Sequence, residues 1–145
     1  EQLEDAGGGR QIAVALDFAD LPFASQSLDL VVLPNVLEFA EEPHQVLREV
    51  ERVLIPGGQL IILEFSQLAI PALRPLYDAY SFKVLPWLGQ LVAGDAASYR
   101  YLAESIRKHP DQETLLGMMK EAGLEDCSYQ NLSGGVVAVH RGNVY

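Results

Sequence analysis

The sequence is short of what would cross-link a chain or seat it across a bilayer. It has one cysteine, Cys127, so no internal disulfide can form. No uninterrupted apolar run approaches the roughly 20 residues that a membrane-spanning helix needs. Cationic residues are scarce: 10 Lys and Arg face 20 Asp and Glu, a formal charge of -10 that repels phosphate backbones and argues against a nucleic-acid partner. The three histidines, His44, His109 and His140, are far apart, and one cysteine makes no Cys-x-x-Cys clamp, so no metal site is expected. There is no Gly-x-Ser-x-Gly turn for a hydrolase nucleophile, and Cys127 reads as a small hydrophobe in an apolar strand rather than a reactive thiol. The first ten residues have neither the basic flank nor the apolar stretch of a signal peptide. Glu1 is not a native start, so a piece of a longer cytoplasmic chain is expected.

What is there fits a folded domain. The chain has 145 residues, 49% of them hydrophobic, which predicts one domain over 1–145 with a substantial core. Residues 12–16 and 28–33 are short apolar runs that read as buried strands, the first entered from Gly7-Gly8-Gly9 and the second stopped by Pro34. From 43 to 54, Val46, Leu47, Val50, Val53 and Leu54 recur at helical spacing, Pro43 lies in the first turn, and Pro56-Gly57-Gly58 is expected to end the helix. Residues 59–65 form a third apolar strand, so strand, helix and strand predict a parallel crossover. The stretch from Pro71 is punctuated by Pro75 and Pro86 and rich in aromatics; helices are expected over 98–107 and 111–122, the second capped by Gly123. Strands 125–132 and 135–140 then form a hairpin across Ser133-Gly134-Gly135. The expected fold is α/β, a parallel sheet closed by an antiparallel C-terminal hairpin.

The glycines at 7 to 9 precede a strand instead of following one, so they read as a linker and not a nucleotide loop. In an open α/β sheet the ligand crevice lies outside the carboxyl ends of the strands, where Asp17, Phe18 and Pro34 are expected to meet. A carboxylate there can accept from an exocyclic amine, with Phe18 and Phe23 as apolar walls for a flat ring. On geometry alone the commoner roles are Asp17 as a loop cap and Phe23 as core.

Asp17-Phe18-Ala19-Asp20-Leu21-Pro22-Phe23, then Leu28-Asp29-Leu30-Val31-Val32, then Arg52-Val53-Leu54-Ile55-Pro56-Gly57-Gly58, resembles in order and spacing the second half of class I S-adenosylmethionine-dependent methyltransferases. Residues 52–66, ending Leu63-Glu64-Phe65-Ser66, are similar to the signature of the ubiquinone/menaquinone biosynthesis C-methyltransferase family, with Ile55 where a lysine is usual. The stretches 75–82, 94–107 and 134–142 resemble that family nearly residue for residue. Two departures stand out. Val36-Leu37-Glu38-Phe39 occupies the place of a Gly-Leu-Arg-Asn stretch, so 33–39 looks more like a generic small-molecule methyltransferase. The Gly-x-Gly first loop and the acidic end of the second strand have no counterpart in the sequence.

The resemblance implies a truncated Rossmann-like class I methyltransferase fold, whose strand order 3-2-1-4-5-7-6 would be represented by its third to seventh strands. It implies S-adenosylmethionine as cofactor, with Asp17 and Phe18 at the adenine and Pro34 along the cofactor. The implied reaction is methylation of a ring carbon of a polyprenyl quinol precursor, impaired in this chain alone. Glu38 is the expected base, its alternative being a solvated acid heading the run Glu38, Glu41, Glu42. Asn35, Tyr77, Tyr80 and Tyr99 are expected at the substrate, the three tyrosines within a helical lid segment over 71–110 that also contains Phe82, Trp87 and Tyr101; helix core is the alternative for these aromatics. Expected partners are the hydrophobic quinol and, beyond it, a peripheral membrane contact, a homodimer or a quinone-biosynthesis complex. A generic small-molecule methyltransferase and a non-catalytic assembly module are the rival functions. The 12–16 strand, without its usual neighbours, is expected to dock beside 28–33 or swap into a second copy.

Overall fold

The computed structural model describes residues 2–4, 10–12 and 17–145, the first two stretches by their backbone alone. Strands β1 (Gln2–Glu4) and β2 (Arg10–Ile12) pair antiparallel, Gln2 opposite Ile12. The glycine run, and the strand read at 12–16 apart from Ile12, lie outside the described residues. So does the expectation that this strand docks or swaps.

The main sheet contains β3 (Leu28–Pro34), β4 (Leu54–Phe65), β5 (Glu125–Leu132) and β6 (Val137–Asn143), in the order β3-β4-β6-β5. β3 and β4 are parallel, and β6 runs antiparallel to both β4 and β5. This is the 4-5-7-6 part of the expected strand order. Helix α1 (Pro43–Val53) makes the parallel crossover and buries Val46, Leu47, Val50 and Val53 against the sheet. Helix α5 (Gln112–Glu121) packs beside it through Leu115, Met118 and Met119, and both helices meet Leu60 and Ile62 of β4 in one core. Each such large side chain removed from water stabilises the fold by about 1.5 to 3 kcal/mol, which is why this face carries the sheet.

Two expectations are corrected. Pro56-Gly57-Gly58 does not separate helix from strand: α1 ends at Val53 and β4 begins at Leu54. Leu54 pairs with Leu28 and Gln59 with Leu30, so residues 55–58 bulge from the ladder, where the missing N–H of Pro56 costs no sheet bond. There Gly57 N–H donates to Val144 O at 2.6 Å and Val144 N–H to Gly58 O at 3.0 Å. The second concerns detail: within the helical segment expected over 71–110, the proline-punctuated part, given no helix bounds of its own by the sequence, is one continuous helix. α2 (Arg74–Ala79), a π turn (Tyr80–Val84) and α3 (Leu85–Ala93) run without a break, followed by α4 (Ala96–Lys108). Pro75 and Pro86 stand in the first turns of α2 and α3, and the wide π turn relieves the clash that Pro86 would make with the turn before it. α4 begins earlier than the apolar periodicity suggests because Asp95 caps it, accepting from Ser98 N–H at 3.0 Å.

Candidate functional site

β3 closes at Pro34, opposite Leu63 of β4, and Asn35 then turns the chain in a left-handed conformation (φ 52°) with its N–H donating to Leu63 O at 2.8 Å. A 3-10 turn, Leu37–Phe39, follows, placing Leu37 in the core, Glu38 half-buried and Phe39 in solvent. Leu37 N–H donates to Glu64 Oε1 at 2.8 Å. Glu64 is only 1% exposed, and its Oε2 has no partner. Burial pushes its carboxyl up to about 7; the Glu38 carboxylate acts in the same direction, and the Leu37 N–H opposes both. Burial also raises the Glu38 carboxyl.

Asp17 and Phe18 lie on the loop that leads into β3. Asp17 Oδ1 accepts from Ala19 N–H at 2.9 Å and its carbonyl from Asp20 N–H at 3.1 Å, so its carboxylate closes a local turn. Phe18 and Phe23 are each 39% exposed; Phe23 is therefore not core, and both rings offer apolar surface. The loop is clamped from α1. Arg52 donates to Leu21 O at 3.0 Å, to Phe23 O at 3.0 Å and to Glu49 at 2.8 Å, while Glu49 Oε2 accepts from Leu21 N–H at 3.0 Å.

At the carboxyl end of β4 a cavity of about 370 Å³ opens between the sheet and the helical segment. Phe65, Ser66 and Val136 line it below, and Tyr77, Tyr80 and Phe82 line it above. Arg107 of α4 latches the upper wall, 3.2 Å from Asp78 and with its guanidinium 5.2 Å from the centre of the Phe82 ring. Of the remaining aromatics, Trp87 and Tyr101 face solvent, and none of the six is fully buried. Tyr99 stands behind the wall with its ring against Gly89, where any Cβ would collide with it.

The floor depends on a close approach. Ala69 N–H donates to Gly134 O and Ser66 N–H to Val136 O, both at 2.8 Å. Gly135 has φ +97°, and a Cβ there would lie 2.7 Å from Ala69 N. Gln112 Nε2 donates to Gln67 O and to Asn131 Oδ1, both at 2.9 Å, tying α5 to this floor. His140 Nε2 meets Gln112 O at 2.9 Å. His109 and His140 are buried imidazoles held below the usual histidine value by desolvation. No group of three or more metal-ligating side chains occurs among the described residues.

The sequence reading thus finds two of its substrate residues, Tyr77 and Tyr80, at one cavity, and Pro34, Asn35 and Glu38 at one turn. It missed Glu64, although a lone carboxylate in the apolar run 60–65 was a signal; it missed the clamp of Arg52, although Arg52 heads the motif 52–58; and it missed the tie of Gln112, which nothing in the sequence marks.

Comparison with known proteins follows the same lines. The fold matches a SAM-dependent methyltransferase structure from Thermotoga maritima, with TM-score 0.61 and 18% identity over 88% of this chain and 61% of that one. It also matches the CurJ carbon methyltransferase, with TM-score 0.56 and 19% identity over 89% and 34%. In sequence the chain is 51% identical over 143 residues to the ubiquinone/menaquinone biosynthesis C-methyltransferase UbiE of Vibrio vulnificus (strain YJ016), covering 98% of this chain and 55% of that protein. The UbiE of Yersinia pestis (strain Pestoides F) is 51% identical, covering 98% and 57%. The chain therefore spans about half the length of these curated relatives. The model of the ubiE/COQ5 methyltransferase family matches residues 2–144, and the chain belongs to that family.

Proposed function

We propose that this chain forms the acceptor-binding part of an S-adenosylmethionine-dependent C-methyltransferase that acts on a ring carbon of a polyprenyl quinol precursor of ubiquinone or menaquinone. The observation that carries the reading is the mainly apolar cavity at the carboxyl end of β4, walled by Tyr77, Tyr80 and Phe82. The names of the relatives at 51% identity agree with it.

The residues present suit the adenine side of the cofactor. A carboxylate has more lone pairs than the single bond to Ala19 uses, so Asp17 retains capacity for an exocyclic amine, and Phe18 offers an exposed ring beside it. Pro34 would line the same ligand from the end of β3. When bound, S-adenosylmethionine supplies a methyl on a sulfonium, so the protein's task is chiefly alignment. Asn35, Tyr77 and Tyr80 orient the acceptor in this reading, and Tyr99 supports it through Gly89. Glu38 takes the ring proton; its half-buried, raised carboxyl suits a base better than a fully solvated acid would. An apolar acceptor also fits a cytoplasmic enzyme that touches the membrane only peripherally; no described helix is long and apolar enough to cross one. One observation favours a second reading, an assembly role as a homodimer or in a quinone-biosynthesis complex: among the described residues β3 pairs only with β4.

A short-prenyl quinol titrated into the isotopically labelled chain tests the first reading. Leu85, Leu102 and Ile106 methyl signals, all at the cavity, should shift together. A quinol that moves none of them, while a hydrophilic phenol does, overturns the acceptor in favour of a generic small-molecule enzyme. In a chain extended to the length of its relatives, Glu38→Gln should lower quinol methylation about tenfold or more, and Phe39→Asn should raise it. Equal rates would remove Glu38 as the base and Phe39 from acceptor choice.

A further inference from the structure

The unbroken helix of residues 74–93 has two apolar faces. One lines the cavity through Tyr77, Ser81 and Leu85. The other is in water: Leu76, Tyr80, Val84, Trp87 and Leu91 follow one another at steps of three or four, with Leu76, Trp87 and Leu91 respectively 70%, 62% and 69% exposed. That spacing draws a stripe about 22 Å long on one side of the helix, at about 1.5 Å per residue. Isolated exposed apolar side chains are ordinary, but a continuous stripe is not.

Charge is distributed unevenly around it. Of the chain's 10 basic and 20 acidic residues, five basic (Arg74, Lys83, Arg100, Arg107, Lys108) and three acidic (Asp78, Asp95, Glu104) fall in 71–110, so this segment carries +2 and the remainder -12. An acidic protein that concentrates half its cations in the segment carrying this apolar stripe, with an exposed tryptophan and tyrosine in the stripe and Lys83 on the same helix, has the composition of a surface that lies on anionic lipid headgroups.

We infer that the outer face of helix 74–93 docks on an anionic lipid bilayer, its apolar stripe in the headgroup boundary and Lys83 at the phosphates. The inference deepens the proposed acceptor reading and rests on it for its purpose. The same helix separates lipid from cavity, and Tyr80 belongs to both faces, so a quinol dissolved in the membrane would reach the cavity without crossing bulk water. The docking itself is measured without substrate or cofactor.

Trp87 is the only tryptophan, so its fluorescence reports on the stripe alone. Vesicles of phosphatidylethanolamine with phosphatidylglycerol should shift its emission to the blue by about 10 nm and sediment the protein, at least about tenfold more strongly than phosphatidylcholine vesicles do. Salt at about 0.5 M should release much of it. Leu76→Glu with Leu91→Glu, both exposed and neither lining the cavity, should weaken vesicle binding about tenfold or more while circular dichroism stays native. Lys83→Glu, which leaves the apolar stripe whole, should weaken binding to the anionic vesicles alone. No blue shift, or a shift that ignores these substitutions, overturns the inference. So does a shift without lipid that grows with protein concentration, which would seat a second copy on the stripe, or a Trp87 already blue-shifted in the chain extended to the length of its relatives. Vesicle binding without quinol binding would leave the docking intact and remove the acceptor reading; the reverse result would do the opposite.

Discussion

Glu64 and Leu37 lie 27 positions apart and are joined by one hydrogen bond, from the Leu37 N–H to Glu64 Oε1 at 2.8 Å. This bond ties the end of β4 to the turn after β3, and so sets where Asn35 and Glu38 stand. A buried carboxyl held by one backbone donor is poorly suited to carry a charge, and its consequences appear with pH.

Glu64 keeps its proton up to about 7 in the fold but releases it near 4.5 once unfolded. Its contribution to stability is therefore complete below about pH 4.5 and is lost as pH rises through 7, a fall of about 3 kcal/mol. Glu64→Gln keeps an acceptor for Leu37 and has nothing to ionise. In urea denaturation the variant should match the parent near pH 4 and exceed it near pH 8; parallel profiles would mean that the carboxylate is solvated.

His109 works in the opposite sense. Its value is depressed by burial and by the neighbouring His140, so its contribution is complete above the ordinary 6.5 and is lost as pH falls through the depressed value. Its Nε2 has no partner, so Leu at this position forfeits no hydrogen bond there. In the Glu64→Gln background, His109→Leu should flatten the acid limb of the stability profile. An unchanged acid limb would assign that limb to other groups.

Arg52→Lys keeps the charge and loses the fork that reaches two carbonyls and Glu49 at once. Leu21 N–H, which donates to Glu49, should exchange with solvent about tenfold faster or more as the loop loosens. Unaltered exchange at Leu21 would show that Glu49 alone holds it.

Gly135→Ala adds a Cβ 2.7 Å from Ala69 N at a left-handed position, while Gly134→Ala meets only Leu68 at 3.6 Å. The first should cost about 2 kcal/mol or more and the second about 1 kcal/mol, read from thermal or urea midpoints. Equal costs would remove the close approach to residues 67–69 as the cause.

If Asp17, Phe18 and Pro34 meet the adenine as proposed, they offer only one side of a site, and S-adenosylmethionine should bind this chain with a dissociation constant of about 1 mM or weaker. Calorimetry that gave micromolar affinity would reveal contacts to ribose and methionine from residues other than these.

The parallel crossover and the hairpin were legible because Val46, Leu47, Val50 and Val53 show period 3.6 and Leu28 to Leu33 an apolar run bounded by a proline, both local signals. Helix 74–93 was legible only as part of a helical segment over 71–110; its bounds were hidden by Pro75 and Pro86, which break a helix in mid-course but are harmless in a first turn or next to a π turn. The turn at Asn35 was foreseeable only as a strand end, since its partner Leu63 arrives 28 residues later. Glu64 was visible as an oddity among apolar neighbours, but its role needed Leu37 and Glu38 brought beside it. Gln112 holds three separate segments and carries no sequence mark at all.

β6 lies between β4 and β5 and bonds to both, although it is made after either of them. During synthesis, β4 must therefore wait with one edge unpaired until residues 137–143 have left the ribosome, some 80 positions after Gln59, whose partner is Asn143. The nascent chain spends that interval with Leu60 and Ile62 half covered. An unpaired edge beside uncovered apolar side chains is the kind of surface that aggregates, so the risk falls in this interval whatever the stability of the finished sheet.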